Sequence, residues 1–346
     1  IQALQLAELN DFFQLACGDV KPEQFDAVAD QATPATAAFY TIFLKDRLAV
    51  ILKLPQQETL LYYTTPIPQN TAENVLQLLQ QNLLDVTRAY QVRKLSREVY
   101  RWLIEPAETQ LDESGVQTLV FVLDSSLRNI PMGVLYDGKK YLVEKYALAV
   151  SPGLQLLSPQ PLGQVGLNTL IGGLSQKRQF GEEFVFPPLE NVRSEIDQIE
   201  SLVPSVELFD DALTATNLQA QIKTGKFSVV HLDTHGQFSS DAQGTFILVS
   251  DKLLRLKDWE SLLQAGVPSR STSIELLVLS ACETAAGDER AVLGLAGIAV
   301  KAGARSTLAT LCSVPDPSAA SLMGQFYREL KNQNVTKAEA LQIAQL

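Results

Sequence analysis

Histidine is the scarcest chemistry-bearing residue in this chain of 346 residues: there are two, with three cysteines, two methionines and two tryptophans. No H-E-x-x-H is present among them. Cys17, Cys282 and Cys312 are odd in number and scattered, so they form no disulfide framework and point to a reducing, cytoplasmic setting. No apolar run approaches the roughly 20 residues needed to span a bilayer, and no charged-then-apolar leader opens the sequence. Lys and Arg never gather into a block and the net charge is −11. Nucleic acid and membrane are therefore not expected partners. No G-x-G-x-x-G and no Gly-Lys-Ser/Thr loop is present, so no nucleotide cofactor is expected.

The remaining composition, 46% hydrophobic and 19% charged, is that of a globular protein. The length suits two domains. The pattern divides them into 1–155 and 165–346, with the Pro- and Gly-containing stretch from Ser151 to Gln164 as linker. The chain opens on IQALQLAELNDFF, helical in spacing, and stops on KAEALQIAQL; both ends read as cut from a longer protein.

In the first domain AAFYTIFLKDRLAVILKL reads as two strands around Lys45-Asp46-Arg47, with a third over Thr59 to Thr65. Helices follow over Thr71 to Ala89, opened by a capping box at Thr71 and Asn74, and over Leu95 to Glu105. TLVFVL, from Thr118, is a buried strand; Ile130 to Leu135 and Lys140 to Val150 read as short strands around Tyr136-Asp137-Gly138. The second domain alternates strand and helix, the pattern of a parallel sheet covered on both faces. Gly172-Gly173 reads as a tight turn, the stretch from there to Pro188 as an irregular loop, and Thr214 as a helix N-cap.

Two strands of that domain end in reactive side chains. FSVVHLDTHG delivers His235, and IELLVLSACETAAG delivers Cys282, each after an apolar run of the kind buried in a parallel sheet. Ligands and catalytic groups gather at the carboxyl edge of such sheets. If the two strands are neighbours, a thiol and an imidazole meet there, as nucleophile and base. His231, four residues earlier, reads as a core residue; HLDTH could be taken for a helical zinc pair, but the flanking FSVV reads as strand and the glutamate of H-E-x-x-H is absent, so zinc is not expected.

VVHLDTHG paired with LLVLSACETAAGD, then VLGLAGIAVKAGARSTLATL, resembles the CHAT family, the caspase-like domains found attached to TPR repeats. TLVFVLDSSLRNIPMGVLYDGKKYLVEKYALAVSPGLQLL is similar to that family's amino-terminal half. The separation 282 − 235 = 47 is close to the roughly 50 residues between the two catalytic positions of caspases. The resemblance implies a caspase-hemoglobinase-like, mostly parallel α/β sheet with helices on both faces, preceded by a second, pseudo-caspase-like α/β half. It implies a His235–Cys282 dyad, a protein or peptide substrate, and helical TPR repeats before Ile1. The expected activity is that of a cysteine endopeptidase in regulated signalling, with a catalytically silent interaction module as the alternative.

The chemistry follows from the residues. Thiolate is the reactive species, favoured by a nearby imidazole and by the start of a following helix. The oxyanion formed on attack needs fixed donors, for which the backbone N–H groups of Gly236 and Cys282 are the candidates. Asp233, Ser280 and Glu283 are the candidate substrate-binding residues, with Ser280 standing where related motifs carry Asp or Gln. Cys312 occupies the position of a family tryptophan, which enlarges the expected cleft.

Overall fold

A computed structural model describes residues 35–151, 166–239, 244–259, 274–280, 283–284, 303–310 and 316–346. The expected helix at the amino terminus, the linker after Ser151, Cys17, Cys282, Cys312 and the small-residue helix from Val292 lie outside them. The described residues fall into two compact units, one holding residues 35–151 and the other 166–344.

The first unit is built on a five-stranded sheet. Its strands are β1 (Thr36–Leu44), β2 (Arg47–Lys53), β3 (Leu61–Thr65), β4 (Thr118–Val122) and β5 (Ala147–Val150), in the order β3-β2-β1-β4-β5. β1, β2 and β3 form an antiparallel meander, while β4 lies parallel to both β1 and β5. Helices α1 (Gln69–Leu83), α2 (Ala89–Leu103) and α3 (Glu108–Glu113) occupy the stretch between β3 and β4. Alternation along the strands sends Phe39, Val50, Leu52, Leu119 and Phe121 into one core with Leu76 and Leu79 of α1 and Val99 and Leu103 of α2.

Three expectations for this unit are corrected. Helix α1 starts two residues before Thr71, with Pro68 at its N-cap and no side-chain cap bond, because proline pre-sets the backbone angle and brings no orphan N–H. Helix α2 begins at Ala89, six residues before the expected start, and its burial of Val99, Tyr100 and Trp102 outweighs its polar first turns. Between Ile130 and Val150 only β5 is a strand. Tyr136 and Tyr141 form a single bridge around a turn in which the Asp137 carboxylate accepts from the N–H groups of Lys139 and Lys140, and Gly138 takes φ +103°. Met132–Val134 and Leu142–Glu144 are 3₁₀ turns.

The second unit carries β6 (Thr169–Gly173), a hairpin of β7 (Arg178–Phe180) and β8 (Phe184–Phe186), α4 (Val192–Glu200), β9 (Ser205–Phe209) and α5 (Ala215–Lys223). It continues with β10 (Val229–Asp233), β11 (Gly236–Phe238), β12 (Phe246–Leu248), β13 (Leu253–Arg255), β14 (Leu276–Ser280), β15 (Glu283–Thr284), β16 (Thr307–Ala309), α6 (Asp316–Leu330) and α7 (Lys337–Gln345). The main sheet is β16-β14-β10-β6-β9, every pairing parallel; a smaller sheet runs β13-β12-β11-β15. The chain is mixed α/β, with this parallel sheet at the centre of the second unit.

Both faces of that sheet are buried, which is why its strands read as continuous apolar runs. Ile171, Val229, Leu276 and Val278 pack with Val192, Ile196 and Ile199 of α4 and Met323, Phe326 and Tyr327 of α6. Leu170, Val230, Leu232, Leu277 and Leu279 face Leu218 and Ile222 of α5, with Phe238, Ile247 and Trp259. Gly172 and Gly173 lie inside β6 and make no turn. A Cβ on Gly173 would stand 2.4 Å from Ile196 Cδ1 and 2.9 Å from Val192 Cγ1, so glycine lets α4 seat directly on the strand. Thr214 caps α5 as expected, accepting from the Asn217 N–H. Among the described residues, no helix is long and apolar enough to cross a membrane.

His231 is a core residue: fully buried on β10, it places Nε2 2.9 Å from Glu195 Oε1 of α4 and Nδ1 3.1 Å from the Tyr327 hydroxyl of α6. Burial, helped by Glu195, raises the Tyr327 pKa well above its ordinary value, so the phenol stays a donor. At the amino ends of the strands, Lys337 Nζ donates to the Glu275 carbonyl at 3.0 Å and to Ser306 Oγ at 2.8 Å. Burial lowers that ammonium's pKa to about 8, against the opposing pull of Glu275 and with a smaller push from Arg305.

Candidate active site

β10 and β14 are direct parallel neighbours, paired from Val229↔Leu276 through Asp233↔Ser280. The ladder offset, 280 − 233 = 47, equals the spacing of His235 and Cys282. Pairing resumes between β11 and β15 at Gln237↔Glu283, an offset of 46. Between the two ladders lie residues 234 to 236 of the histidine strand. His235 lies two residues beyond β10, in the joint with β11, and does not end the strand itself.

This joint is held on every side. Asp233 offers its carbonyl to the Leu174 N–H at 3.0 Å, and the Thr234 N–H reaches the Ser280 carbonyl at 3.4 Å. Thr234 Oγ1 donates to the Leu248 carbonyl at 3.0 Å, while the Leu248 N–H donates to the His235 carbonyl at 2.8 Å. Successive peptide groups of an extended chain face opposite sides. With the His235 carbonyl turned to β12, the Gly236 N–H points the other way, to the side on which β15 pairs.

The imidazole of His235 is half-buried and oriented from β8. Its Nε2 lies 2.8 Å from the Pro187 carbonyl, and its ring centroid is 5.4 Å from that of Phe186 at 35°. A carbonyl can only accept, so Nε2 is the donor in this contact, and in the neutral ring the lone pair then lies on Nδ1. That is the form a general base requires.

The expected substrate-binding residues are placed differently from one another. Asp233 and Ser280 face each other in register, and both are fully buried, so neither presents a side chain to solvent. Glu283 opens β15 opposite Gln237. Cys282 lies outside the described residues.

Sequence reasoning missed the loop between β6 and α4. The stretch from Gly173 to Pro188 contains the β7–β8 hairpin, and Phe180, Phe184 and Phe186 around Gly181 were the signal: two short aromatic runs across a glycine turn. The base of the hairpin is anchored by Asp210, just after β9. Its Oδ1 accepts from the Ser175 N–H at 2.8 Å and the Gln176 N–H at 3.2 Å, and the Ser175 hydroxyl donates to Oδ2 at 2.9 Å. Asp210 adopts φ +47°, a left-handed conformation uncommon outside glycine, and these bonds offset its cost. Nothing in the sequence marks Asp210 for this role.

The family described as CHAT domain matches residues 93–346. No curated protein matches the chain.

Proposed function

The chain belongs to the CHAT domain family, a caspase-like family related to the cysteine peptidase clan, and from that premise we propose that it is a cysteine endopeptidase using His235 and Cys282 on a protein or peptide substrate. The observation that carries the reading is the β10–β14 register. Neighbouring parallel strands lie about 4.8 Å apart, and the ladder that ends at Asp233↔Ser280 stops two residues short of His235 on one strand and two residues short of Cys282 on the other, which supports bringing the pair together at one sheet edge. The tautomer fixed by the Pro187 carbonyl supports it, because the nitrogen left free is the one able to take a thiol proton.

In this reading His235 Nδ1 accepts the Cys282 proton as sulfur attacks the substrate carbonyl. The resulting oxyanion is stabilised by the Gly236 and Cys282 N–H groups. His235 then gives its proton to the departing amine nitrogen, leaving a thioester. Water, deprotonated by the same imidazole, attacks the thioester carbonyl and releases the acid and the free thiol. The domain bounds 1–155 and 165–346, a pseudo-caspase-like identity for the first half, TPR repeats upstream, a signalling role and a cytoplasmic setting belong to the same proposal. For the first half the support is that β1, β4 and β5 run parallel, as the strands of the second sheet do.

The alternative reading, a silent interaction module, draws on one observation: Asp233 and Ser280 are buried, so neither supplies an exposed group to select a substrate residue. Electrophilic peptide probes carrying Arg, Lys, Asp or Leu at P1 separate the two. A peptidase is expected to label at Cys282 with a P1 preference, and to lose the labelling in His235→Ala. Equal, slow labelling of Cys17, Cys282 and Cys312 whatever the P1 residue would favour the module.

A further inference from the structure

We propose that Phe186, carried on the β7–β8 hairpin, is a positioning residue that holds His235 in its Nε2–H form, so that docking of the hairpin sets whether Nδ1 is free to act as a base. The use of Nδ1 in catalysis rests on the dyad reading above; the positioning itself does not.

His235 is half-buried, and the Pro187 carbonyl bond is the hydrogen bond that fixes its tautomer. Pro187 follows Phe186 directly, so that carbonyl stands where it does only while the end of β8 is seated. The hairpin is short, three residue pairs from Arg178↔Phe186 to Phe180↔Phe184, and a two-stranded ribbon of that length is not stable alone. It is held through aromatic edges. Phe184 and Phe186 project to one side, and each meets the buried Phe246 of β12 edge-on, at 5.8 Å and 5.9 Å between centroids. Phe186 alone of these rings also contacts His235.

The base of the hairpin is fixed independently. Asp210 holds Ser175 and Gln176, Arg178 Nη2 reaches Asp211 Oδ1 at 2.6 Å, and the Leu189 N–H closes the loop on the Ser175 carbonyl at 3.0 Å. Phe186 pairs with Arg178 at this end of the hairpin, so truncating it removes the ring packed on His235 and one of the two edge contacts to Phe246, while Phe184 keeps the tip seated and the base stays tied. A ring that has lost Phe186 can turn away from the Pro187 carbonyl, and it then exchanges its proton between the two nitrogens, as an exposed histidine does.

With two histidines in the whole chain, the ring nitrogens of both can be followed by ¹⁵N-detected NMR on the intact protein, assigned with a His235→Gln variant. Wild type is expected to show widely split His235 nitrogens, with Nε2 as the N–H. Phe186→Ala and Phe186→Leu are expected to bring the two shifts together, and Phe186→Tyr to keep them apart. His231, locked in the core, reports folding: its signals stay fixed where only the site has changed. Iodoacetamide modification of Cys282 is expected to slow by about threefold to tenfold in Phe186→Ala, the range an aromatic pair supports. An unchanged His235 splitting in Phe186→Ala with His231 intact would overturn the proposal. If Ala also moves His231, Phe186→Leu decides by the same criterion. Should His235→Gln leave Cys282 modification at the wild-type rate while the splitting still depends on Phe186, the dyad reading fails and the positioning role stands.

Discussion

The two units each place a five-stranded sheet under helices, yet the carboxyl ends of their strands are finished in opposite ways. In the first unit the ends of β1 and β4 are stapled shut. The Asp124 carboxylate accepts from the Phe43 N–H at 2.9 Å, the Asp124 N–H donates to Thr41 Oγ1 at 3.0 Å, and Arg128 Nε donates to the Leu123 carbonyl at 2.9 Å. Every polar group named there serves the backbone, and neither histidine nor cysteine occurs between residues 35 and 151. In the second unit the backbone is pinned just as firmly, but by Leu174, Ser280 and Leu248, and the His235 side chain closes no strand end: its Nε2 meets the Pro187 carbonyl of the neighbouring loop. The difference is that the first strand end carries side chains that all close it, while the second carries beside its closing Thr234 one half-buried imidazole that bonds no strand.

The comparison is sharpened most by removing the His235 imidazole. His235→Ala is expected to lower the rate of Cys282 modification by roughly 10²-fold or more, the scale of a lost general base, with thermal stability near wild type because the imidazole holds no strand in place. Both are read in one experiment, mass spectrometry of alkylation beside a thermal melt.

The next largest effect belongs to the other histidine. His231→Leu leaves Glu195 buried without its partner, and a loss of about 3–5 kcal/mol is expected in denaturant unfolding. The double variant His231→Leu/Glu195→Leu should recover much of it, since an apolar pair of similar volume tolerates the site. Failure of the double variant to recover stability would place the cost in the Tyr327 contact instead.

Asp124→Ala tests the closed end. It strips the acceptor from a part-buried N–H and is expected to cost about 1–3 kcal/mol while leaving Cys282 modification unchanged. A change in Cys282 reactivity would break the contrast between the two units.

The smallest effect is a slope. The Lys337 ammonium has a pKa near 8 in the folded protein, below the unfolded value, because burial disfavours its charge. Between pH 8 and about 10 the unfolded chain therefore binds a proton that the folded one releases, and stability rises with pH at under about 1.4 kcal/mol per unit. Below pH 8 both states are protonated and the dependence vanishes. Lys337→Met should flatten the rise, measured as the difference between variant and wild-type unfolding curves across that window.

How much of this was legible in the sequence depended on which force sets each feature. The strands β6, β10 and β14 were readable because burial on both faces forces a continuous apolar run, and the core place of His231 followed from its position within one. Neighbouring placement of β10 and β14 was an inference from chemistry at their ends, and the parallel ladder bears it out. Where tertiary packing decides, the sequence was silent or misleading. Gly172 and Gly173 look like a turn but are cleared for Leu213, Leu232, Val192 and Ile196. The strands expected around Gly138 gave way to 3₁₀ turns, as local bonds from Asp137 and Glu144 satisfy the backbone that a ladder would have used. At the site, His235 was found through its rarity and its position after an apolar run. Phe186, Pro187 and Asp210 were missed, since they act through a ring contact, a backbone carbonyl and a strained turn that no residue pattern announces.

The most direct measurement of the central claim is the pH dependence of alkylation at Cys17, Cys282 and Cys312 in one sample, repeated in His235→Ala. The account predicts that Cys282 reacts fastest at neutral pH, with a profile that falls back to that of an ordinary thiol once the imidazole is removed. A Cys282 profile identical in wild type and His235→Ala, and no faster than the other two cysteines, would contradict it.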